Sequence, residues 1–435
     1  MRKESKLFTL ILFLFILMTG NAQEAISFDQ ALAYTLDKNY DIRMAHLDKE
    51  QASNNAAPGN NGYLPTLSAT GGYNWTYFQG SNKLITGDVN YDPNNSYNYN
   101  AGLSLNYSLF DGNGRRFDYL RSKEAEQLSE LQVRALIENT ILKLSATYFE
   151  AVRLQEAVST LQESMAISKS RLTRVEYSEE YGQATALEVL NAKVDMNTDS
   201  INLLNAMQSF ENMKRSLNLL MGIEIDEQIL LVEDIQIKDD IMRDEALTSA
   251  MERNVRLGSA EHTLRSSELA IGSNKSNWLP SIGANAGYNY RGSDDPNGAF
   301  VVGSYSTGPN AGLSLNWSIF DGRNKTSLEN ARIEYDSQVI DKKRTEQAVK
   351  LDLLNAHGAY RNALFVVQAQ DEIVNTARDN FNRSEESFKL GQIGSVEFRQ
   401  AQLNLMNAEL QLSQAKVSAK NAEQTVLALM GSLLQ

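Results

Sequence analysis

The chain has 435 residues, with 41 Lys and Arg against 54 Asp and Glu, a net charge of −13 and no cysteine. The acidic balance argues against nucleic acid as a partner. The missing cysteine excludes cysteine nucleophiles, cysteine-ligated zinc, iron–sulfur clusters and disulfides, and it predicts that no lipid anchor is attached to an N-terminal cysteine. The hydrophobic share of 42% is that of an ordinary soluble protein, but the patterns along the chain indicate otherwise.

Residues 1–22 are predicted to be a cleaved signal peptide. A short basic start precedes an apolar run at 7–18, and Gly20 and Ala22 suit a cleavage site. The alternative, an N-terminal membrane anchor, needs about 20 apolar residues. No later run approaches that length, so a mature protein that lies in a membrane must do so as a β-barrel.

The mature chain repeats one unit twice. The segment AGLSLNYSLFDG at Ala101–Gly112 returns as AGLSLNWSIFDG at Ala311–Gly322, and Leu220–Gly222 returns at Leu429–Gly431. An enzyme built around one unique site would not predict this duplication, which is the signature of repeat architectures. The predicted divisions are a first repeat at 23–225, an acidic linker or equatorial segment at 226–243, and a second repeat at 244–435.

Each repeat contains two long predicted helices. Residues 94–279 and 310–435 lack proline, and apolar residues recur with heptad spacing, as at Val367, Val374 and Phe381, which is typical of coiled coils. Acidic residues spread along these segments predict a solvated face. The expected elements are long helices at 115–180 and 323–388, each about 100 Å in length, and return helices at 185–221 and 395–431.

Four predicted strands precede the long helices, at 66–78, 97–110, 281–291 and 306–320. Apolar and small polar residues alternate along them, so each strand has one apolar face. Aromatic residues cluster at both ends of each hairpin, as in the girdles of outer-membrane barrels. The predicted girdle residues are Tyr73, Trp75, Tyr77, Tyr97, Tyr99, Tyr107, Phe110, Tyr288, Tyr290, Trp317 and Phe320. The polar segments 87–95 and 291–298 are expected to be loops between strands.

The alternation also fits a half-buried sheet over a soluble core. The sorted aromatic residues and the signal peptide favour a barrel instead. Four strands cannot close a barrel, and an open edge in lipid leaves backbone groups unpaired. The barrel must therefore be shared between chains, with eight strands in a dimer or twelve in a trimer, and the polar inner face suits the wider, wet lumen of the larger one.

Three motifs occur in the same order in both repeats. They are Leu64-Pro65 and Leu279-Pro280 at the strand entries, Leu109-Phe-Asp-Gly112 and Ile319-Phe-Asp-Gly322 at the exits, and the segments 182–192 and 391–401 at the helix tips. In this order and doubled, the motifs resemble those of the TolC family of outer-membrane efflux proteins. The resemblance implies an α+β membrane protein with two tandem repeats of helix, β-hairpin, long helix and helix. It implies a homotrimer, in which a twelve-stranded outer-membrane β-barrel continues into a periplasmic α-helical coiled-coil barrel.

The resemblance also implies a function and its partners. The protein would be the outer-membrane exit duct of a tripartite efflux or type I secretion system, extending into the periplasm. A periplasmic adaptor protein and an inner-membrane transporter would be its partners, and outer-membrane lipid would surround the barrel. The segments 176–190 and 385–399 would contact the adaptor, with Gly182, Thr185, Gly391 and Gly394 at the turns, where glycine permits a tight bend.

By the same resemblance the periplasmic aperture lies just after the tip glycines. The matching acids are Glu188 and Glu397, and Asn191 and Gln400 follow three residues later. Six carboxylates per trimer lead to the hypothesis of a cation-selective aperture. The alternative is that Glu188 only completes a capping box with Thr185. Because Phe388 and Ile393 occupy the family's latch positions, no particular latch is predicted.

Catalytic chemistry is not expected. His46, His262 and His357 lack metal-ligand spacing, and no phosphate-binding loop occurs. We therefore expect no enzyme, no cofactor and no bound metal, and a partner must supply the driving force. Two alternatives remain: a stand-alone outer-membrane channel, which would not need the long helices, and a periplasm-spanning coiled-coil tether, which would not need the aromatic strands.

Overall fold

The structure is a computed structural model that describes residues 25–232, 234–238, 240–294 and 302–433. The predicted signal peptide at 1–22 lies outside the described residues. The chain forms two compact units. The first comprises Met1–Leu47, Leu131–Gly258 and Thr345–Gln435, and the second comprises Asp48–Glu130 and Ser259–Arg344.

The described residues form helices and one sheet, which confirms the α+β class. The helices are α1 (Phe28–Lys38), α2 (Tyr40–Asn55), α3 (Gly114–Glu180), α4 (Ala186–Met221), α5 (Arg243–Arg253), α6 (Val255–Ser276), α7 (Gly322–Lys389) and α8 (Ser395–Leu429). The strands are β1 (Thr66–Leu84), β2 (Gly87–Asp111), β3 (Ser281–Asp294) and β4 (Gly303–Asn316). Within the described ranges, no helix combines the length and the apolar character needed to cross a membrane.

The two long helices nearly coincide with the predicted ranges, because no proline or glycine interrupts α3 after its first residue, and Gly358 is the one glycine in α7 after its first residue, Gly322. The first return helix starts at Ala186 rather than at 185. Thr185 is the N-cap of α4, with an extended backbone and a side chain that accepts a hydrogen bond from the Glu188 amide.

The four strands form one antiparallel sheet in the order β1-β2-β3-β4. Directly opposed residues of such a sheet share a face. The pairs Thr70↔Gly102, Gly102↔Asn289 and Asn289↔Gly308 lie on one face, which carries mostly Ser, Thr, Asn and Gly. The opposite face carries leucines, alanines and tyrosines.

The prediction of a loop at residues 87–95 is wrong. Residues 87–95 belong to β2, and β1 extends to Leu84, which pairs with Gly87 across a two-residue turn. Pairing of the backbone does not depend on apolar side chains, so the polar composition of this segment did not prevent a strand. Of the second predicted loop, 291–294 lie in β3 and 295–298 lie outside the described residues.

The predicted end of the fourth strand is also wrong. Strand β4 stops at Asn316, so Trp317 and Phe320 follow the strand. Asn316 pairs with Ser281, the first residue of β3. The residue before it is Pro280, which has no N–H to donate, so residues 317–320 have no strand opposite them.

The first unit contains two buried clusters that reflect the sequence repeat. Tyr148 lies in one cluster and Tyr360 in the other. The Tyr148 hydroxyl donates a hydrogen bond to the Ile26 carbonyl at 2.8 Å, and that of Tyr360 donates to the Lys238 carbonyl. Each phenol thus joins a long helix to a segment without regular secondary structure.

Replacing Tyr148 with phenylalanine is expected to lower the free energy of unfolding by about 1 kcal/mol, because the hydrogen bond from the phenol to the Ile26 carbonyl is lost. That carbonyl keeps the hydrogen bond from the Val232 amide at 3.3 Å. Burial raises the pKa of the Tyr148 phenol to about 12. A pKa above the unfolded value of about 10 means that this stabilisation is complete below pH 10 and is lost as pH rises through 12. Denaturant titration at neutral and alkaline pH measures both effects.

The exposed Tyr181 is the matched control, since its phenylalanine variant should unfold like the unmodified chain at each pH. Equal alkaline sensitivity of the Tyr148→Phe variant and the unmodified chain would contradict the assignment to this phenol.

Candidate functional site

The turns that join the long helices to the return helices have the same backbone form in both repeats. Gly182 has φ of 71° and Gly391 has φ of 75°, a left-handed conformation that glycine adopts without penalty. The amide after each glycine bonds back to the long helix, from Gln183 to the Ser178 carbonyl at 2.7 Å and from Gln392 to the Ser387 carbonyl at 2.8 Å. Each turn therefore closes within its own hairpin.

The third predicted turn glycine, Gly394, does not share the left-handed conformation of Gly182 and Gly391. Gly394 is the N-cap of α8, with φ of −79° and ψ of 164°, which is extended backbone that other residues also adopt. It corresponds to Thr185 in the first repeat. Because glycine has no side chain, only one half of the capping box is present there: the Gly394 amide donates to Glu397 Oε2 at 3.2 Å.

The two predicted aperture acids cap the helices on which they lie. Glu188 Oε2 accepts from the Thr185 amide at 3.4 Å, and Thr185 Oγ1 accepts from the Glu188 amide at 3.3 Å. Each carboxylate keeps its second oxygen outside these bonds. Asn191 and Gln400 are exposed, and Gln400 donates to Asn404 Oδ1 at 2.8 Å. Whether these residues line a pore stays a prediction.

A buried polar cluster joins α3, α4 and α8. Arg399 donates through both terminal nitrogens to Asp199, each at 2.7 Å. Ser168 donates to the same carboxylate at 2.5 Å, and Gln402 donates to Ser168 at 3.0 Å and to the Ser164 carbonyl at 2.7 Å. The Asp199 residue is only 1% exposed and Arg399 is 8% exposed. A bidentate pair of this kind fixes the orientation of both partners.

Two further arginines of α3 reach the second hairpin tip. Arg171 donates to Asp195 of α4 and to the Ser395 carbonyl at the start of α8. Arg174 donates to the Lys389 carbonyl at the end of α7. The tip of the second repeat is thus held by side chains of the first repeat.

The aromatic residue at position 388 takes part in this contact. The Phe388 ring lies parallel to the Phe398 ring, with centroids 4.8 Å apart, and the Arg174 guanidinium lies 5.6 Å from the Phe388 centroid. Phe398 also stacks on Phe381 at 5.6 Å. No latch was predicted at position 388. In the structure, this residue makes an aromatic stacking contact and a cation–π contact.

The buried cluster was not predicted from the sequence, where the acidic residues spread along the long segments were expected on a solvated face. The available signal was spacing: Asp195 and Asp199 are four residues apart, and Arg171 and Arg174 are three apart, so each pair shares a helix face. Asp195 pairs with Arg171, and Asp199 pairs with Arg399. Within the part of the chain that the structure describes, no group of three His, Asp or Glu side chains is placed to hold a metal ion.

The apolar face of the sheet carries most of the predicted girdle residues, namely Tyr73, Trp75, Tyr77, Tyr97, Tyr99, Tyr107, Tyr288 and Tyr290. The rings of Tyr73 and Tyr97 stack with centroids 6.2 Å apart, and Tyr99 and Tyr290 stack at the same distance. These stacked pairs form a band on one side of the sheet. Their contact with lipid stays a prediction.

Two departures affect this band. A bulge between Ser108 and Phe110 turns Phe110 to the apolar face, opposite Ile282. Trp317 lies beyond β4, where its indole N–H donates to the Trp278 carbonyl at 3.2 Å. Tyr305, which is exposed on the apolar face of β4 opposite Gly292, was missed because it precedes the predicted start of that strand.

The family model described as "Outer membrane efflux protein" matches residues 32–223 and 246–432. The chain is 22% identical over 419 residues to the probable efflux pump outer membrane protein TtgC of Pseudomonas putida, covering 92% of this chain and 82% of that protein. It is 22% identical over 356 residues to the outer membrane protein TolC of Vibrio cholerae, covering 81% and 78%.

The fold is similar to that of the Campylobacter jejuni CmeC outer membrane channel. The TM-score is 0.74 at 18% identity, and the superposition covers 93% of this chain and 86% of CmeC. Both halves matched by the family model correspond to the two repeats, each with its hairpin and its pair of long helices. The chain therefore belongs to the outer membrane efflux protein family.

Proposed function

We propose that three copies of this chain form the exit duct of a tripartite export system, docked to a periplasmic adaptor and an inner-membrane transporter. The observation that carries the proposal is the open sheet. Within the described residues, β1 and β4 each have a strand partner on one side only. In lipid, every unpaired backbone group of such an edge costs several kcal/mol.

A second copy removes this cost by pairing its β1 with β4 of the first. The sheet has four strands, so three copies give a closed barrel of twelve and two copies give eight. The face of Ser, Thr, Asn and Gly would line the lumen. Small polar residues on every strand suit a water-filled channel, which small eight-stranded barrels do not enclose, and this favours three copies.

Exposed apolar residues on α4 support association of the helices as well. Leu190, Val194, Ile201 and Leu204 are each at least 58% exposed, and their spacing of four, seven and three residues places them on one helix face. On α7, Phe365 is 69% exposed. A coiled-coil seam without a partner in its own chain is expected to find one on a neighbouring copy.

The tips supply a surface for the adaptor. Tyr181 and Leu390 occupy equivalent positions of the two tips, as do Leu187 and Val396, and each is at least 65% exposed. Each tip therefore carries two exposed apolar side chains, and a trimer has six tips. Helix tips with matched apolar side chains suit a partner that also ends in helical hairpins.

The assembly is tested by charging the α4 face. An Ile201→Asp, Leu204→Asp variant of the full chain is expected to run as a monomer on unheated detergent gels, whereas the unmodified chain runs as a trimer. In cells that lack the gene, the variant should fail to restore dye efflux. Asn202→Asp is the matched control, because Asn202 is exposed but consecutive residues of a helix do not share a face; this variant should assemble and restore efflux.

The outcomes distinguish the alternatives. Conduction by a monomer would favour a stand-alone channel. A trimer that neither conducts nor restores efflux would favour a periplasmic tether. Efflux that persists without the adaptor gene would contradict the tripartite assignment.

The aperture acids give a second prediction. If Glu188 and Glu397 line the narrow end of the duct, six carboxylates at one level attract cations. The Glu188→Gln, Glu397→Gln variant is then expected to show a cation-to-anion permeability ratio that is lower by roughly twofold or more. Reversal potentials in planar bilayers under a KCl gradient measure this ratio.

Glutamine keeps the carbonyl oxygen that caps each helix, so the tips should retain their fold. Asp379→Asn on the exposed surface of α7 is the control and should leave the ratio unchanged. If the double variant keeps the permeability ratio of the unmodified chain, the two acids do not set ion selectivity and act only as helix caps.

A further inference from the structure

We propose that Arg291 forms a cationic ring near the outer mouth of the duct and favours the passage of anions, including anionic substrates. The inference rests on the proposed trimeric duct. It concerns the sheet alone, in which Arg291 lies on β3 between Asn100 of β2 and Ser306 of β4.

The strand register places Arg291 on the polar face. The row Gly72↔Asn100, Asn100↔Arg291 and Arg291↔Ser306 runs across all four strands. Directly opposed residues point to the same side, so the guanidinium shares its face with glycine, asparagine and serine. In the proposed barrel this face lines the lumen.

Among the residues that the structure describes, the neighbours of Arg291 on this face carry no charge. Asn100 and Ser306, directly opposite it, are uncharged, as are Asn289 and Ser293 two residues away along β3. The described polar face carries one other charge, Asp111, which pairs with Ser281 at the far end of β3. Ten residues of strand separate that level from Arg291, about 33 Å, several times the screening length of about 8 Å at physiological salt.

The level of Arg291 along the sheet is marked by the aromatic band. Tyr290 and Gly292 flank it, and Tyr290 stacks on Tyr99 on the apolar face. The band lies toward the hairpin ends, away from the strand ends that lead into the helices. Three guanidiniums at this level would meet a solute as it leaves the lumen, and rings of charged side chains set ion preference in channels.

The test is the permeability ratio of chloride to potassium for the full chain in planar bilayers. Arg291→Gln is expected to lower the ratio by about twofold, because three charges leave the lumen. Ser306→Asp is expected to lower it similarly, since a carboxylate directly opposite on the same face pairs with the guanidinium. Arg291→Lys should keep the ratio of the unmodified chain.

Lys83→Gln is the matched control. Lys83 pairs with Asp88 beyond the bulge in the first hairpin, on the other face of the sheet, so its loss should leave the ratio unchanged. An unchanged ratio in conducting Arg291→Gln and Ser306→Asp channels would overturn the inference and leave the duct intact. Failure of the unmodified chain to conduct would instead overturn the proposed function.

Discussion

Replacing Asp199 with alanine is expected to lower the free energy of unfolding by about 3–5 kcal/mol. The carboxylate accepts two hydrogen bonds from Arg399 and one from Ser168. Its removal leaves a guanidinium that is 8% exposed with only the more distant carboxylate of Asp195, 3.9 Å from Arg399 Nε, as a counter-ion. A buried charge that loses its main partner is costly in a protein interior.

The cost should fall when both charges are removed. In an Asp199→Asn, Arg399→Gln variant, two neutral amides can bond to each other and to Ser168, and no charge is left unpaired. We expect this double variant to be more stable than Asp199→Ala. The double-mutant cycle of Asp199→Asn, Arg399→Gln and their combination should give an interaction energy of roughly 1–3 kcal/mol. Chemical denaturation of the full chain, followed by helical circular dichroism at one protein concentration, measures all members of the cycle.

Asp379→Ala is the control for the loss of a helical aspartate. Asp379 is exposed on α7, and surface substitutions of this kind usually change stability by no more than about 0.5 kcal/mol. If Asp199→Ala destabilises no more than Asp379→Ala does, the cluster does not hold α8 against α3 and α4.

The Asp199 pair also shows what the sequence did not reveal. Asp199 and Arg399 are 200 residues apart, and an aspartate within a long helix has the same local pattern whether it faces solvent or another helix. Burial of this pair is decided by which helices pack together. Local composition does not encode that choice, so the prediction of a solvated face was wrong here.

Features with a local cause were predicted from the sequence. The left-handed turn at Gly182 and the capping box of Thr185 and Glu188 each depend on residues within four positions. The family resemblance, which rests on the duplicated motifs, is confirmed by the match to residues 32–223 and 246–432. The end of β4 was placed too late because it depends on a partner strand that starts after Pro280, which lies far away in the sequence.

Replacing Gly222 with alanine is expected to lower the free energy of unfolding by about 2–5 kcal/mol. Gly222 ends α4 with φ of 67°, and a Cβ atom there would lie 2.5 Å from the Lys38 carbonyl oxygen. That oxygen belongs to the junction of α1 and α2, where Asn39 donates to the Leu220 carbonyl at 2.9 Å. Alanine therefore has to push the junction away as well as adopt a left-handed backbone.

The second repeat provides an independent copy of this contact. Gly431 has φ of 69°, and a Cβ atom there would lie 2.5 Å from the Arg253 carbonyl oxygen. Asn254, the equivalent of Asn39, donates to the Leu429 carbonyl at 2.9 Å. Gly431→Ala should destabilise the chain by an amount similar to Gly222→Ala.

The tip glycine separates the two contributions. Gly182 has φ of 71° but no atom within 4 Å of the position of a Cβ. Gly182→Ala should therefore lower the free energy of unfolding by only about 1–2 kcal/mol, the cost of the left-handed backbone. A few tenths of a kcal/mol are regained because alanine makes the unfolded chain less flexible. The denaturation midpoints should rank the unmodified chain above Gly182→Ala, and Gly182→Ala above Gly222→Ala and Gly431→Ala. Equal midpoints for the three variants would mean that the helix junctions move aside at no cost when a Cβ atom is added. Glycine would then be required only for the left-handed backbone conformation.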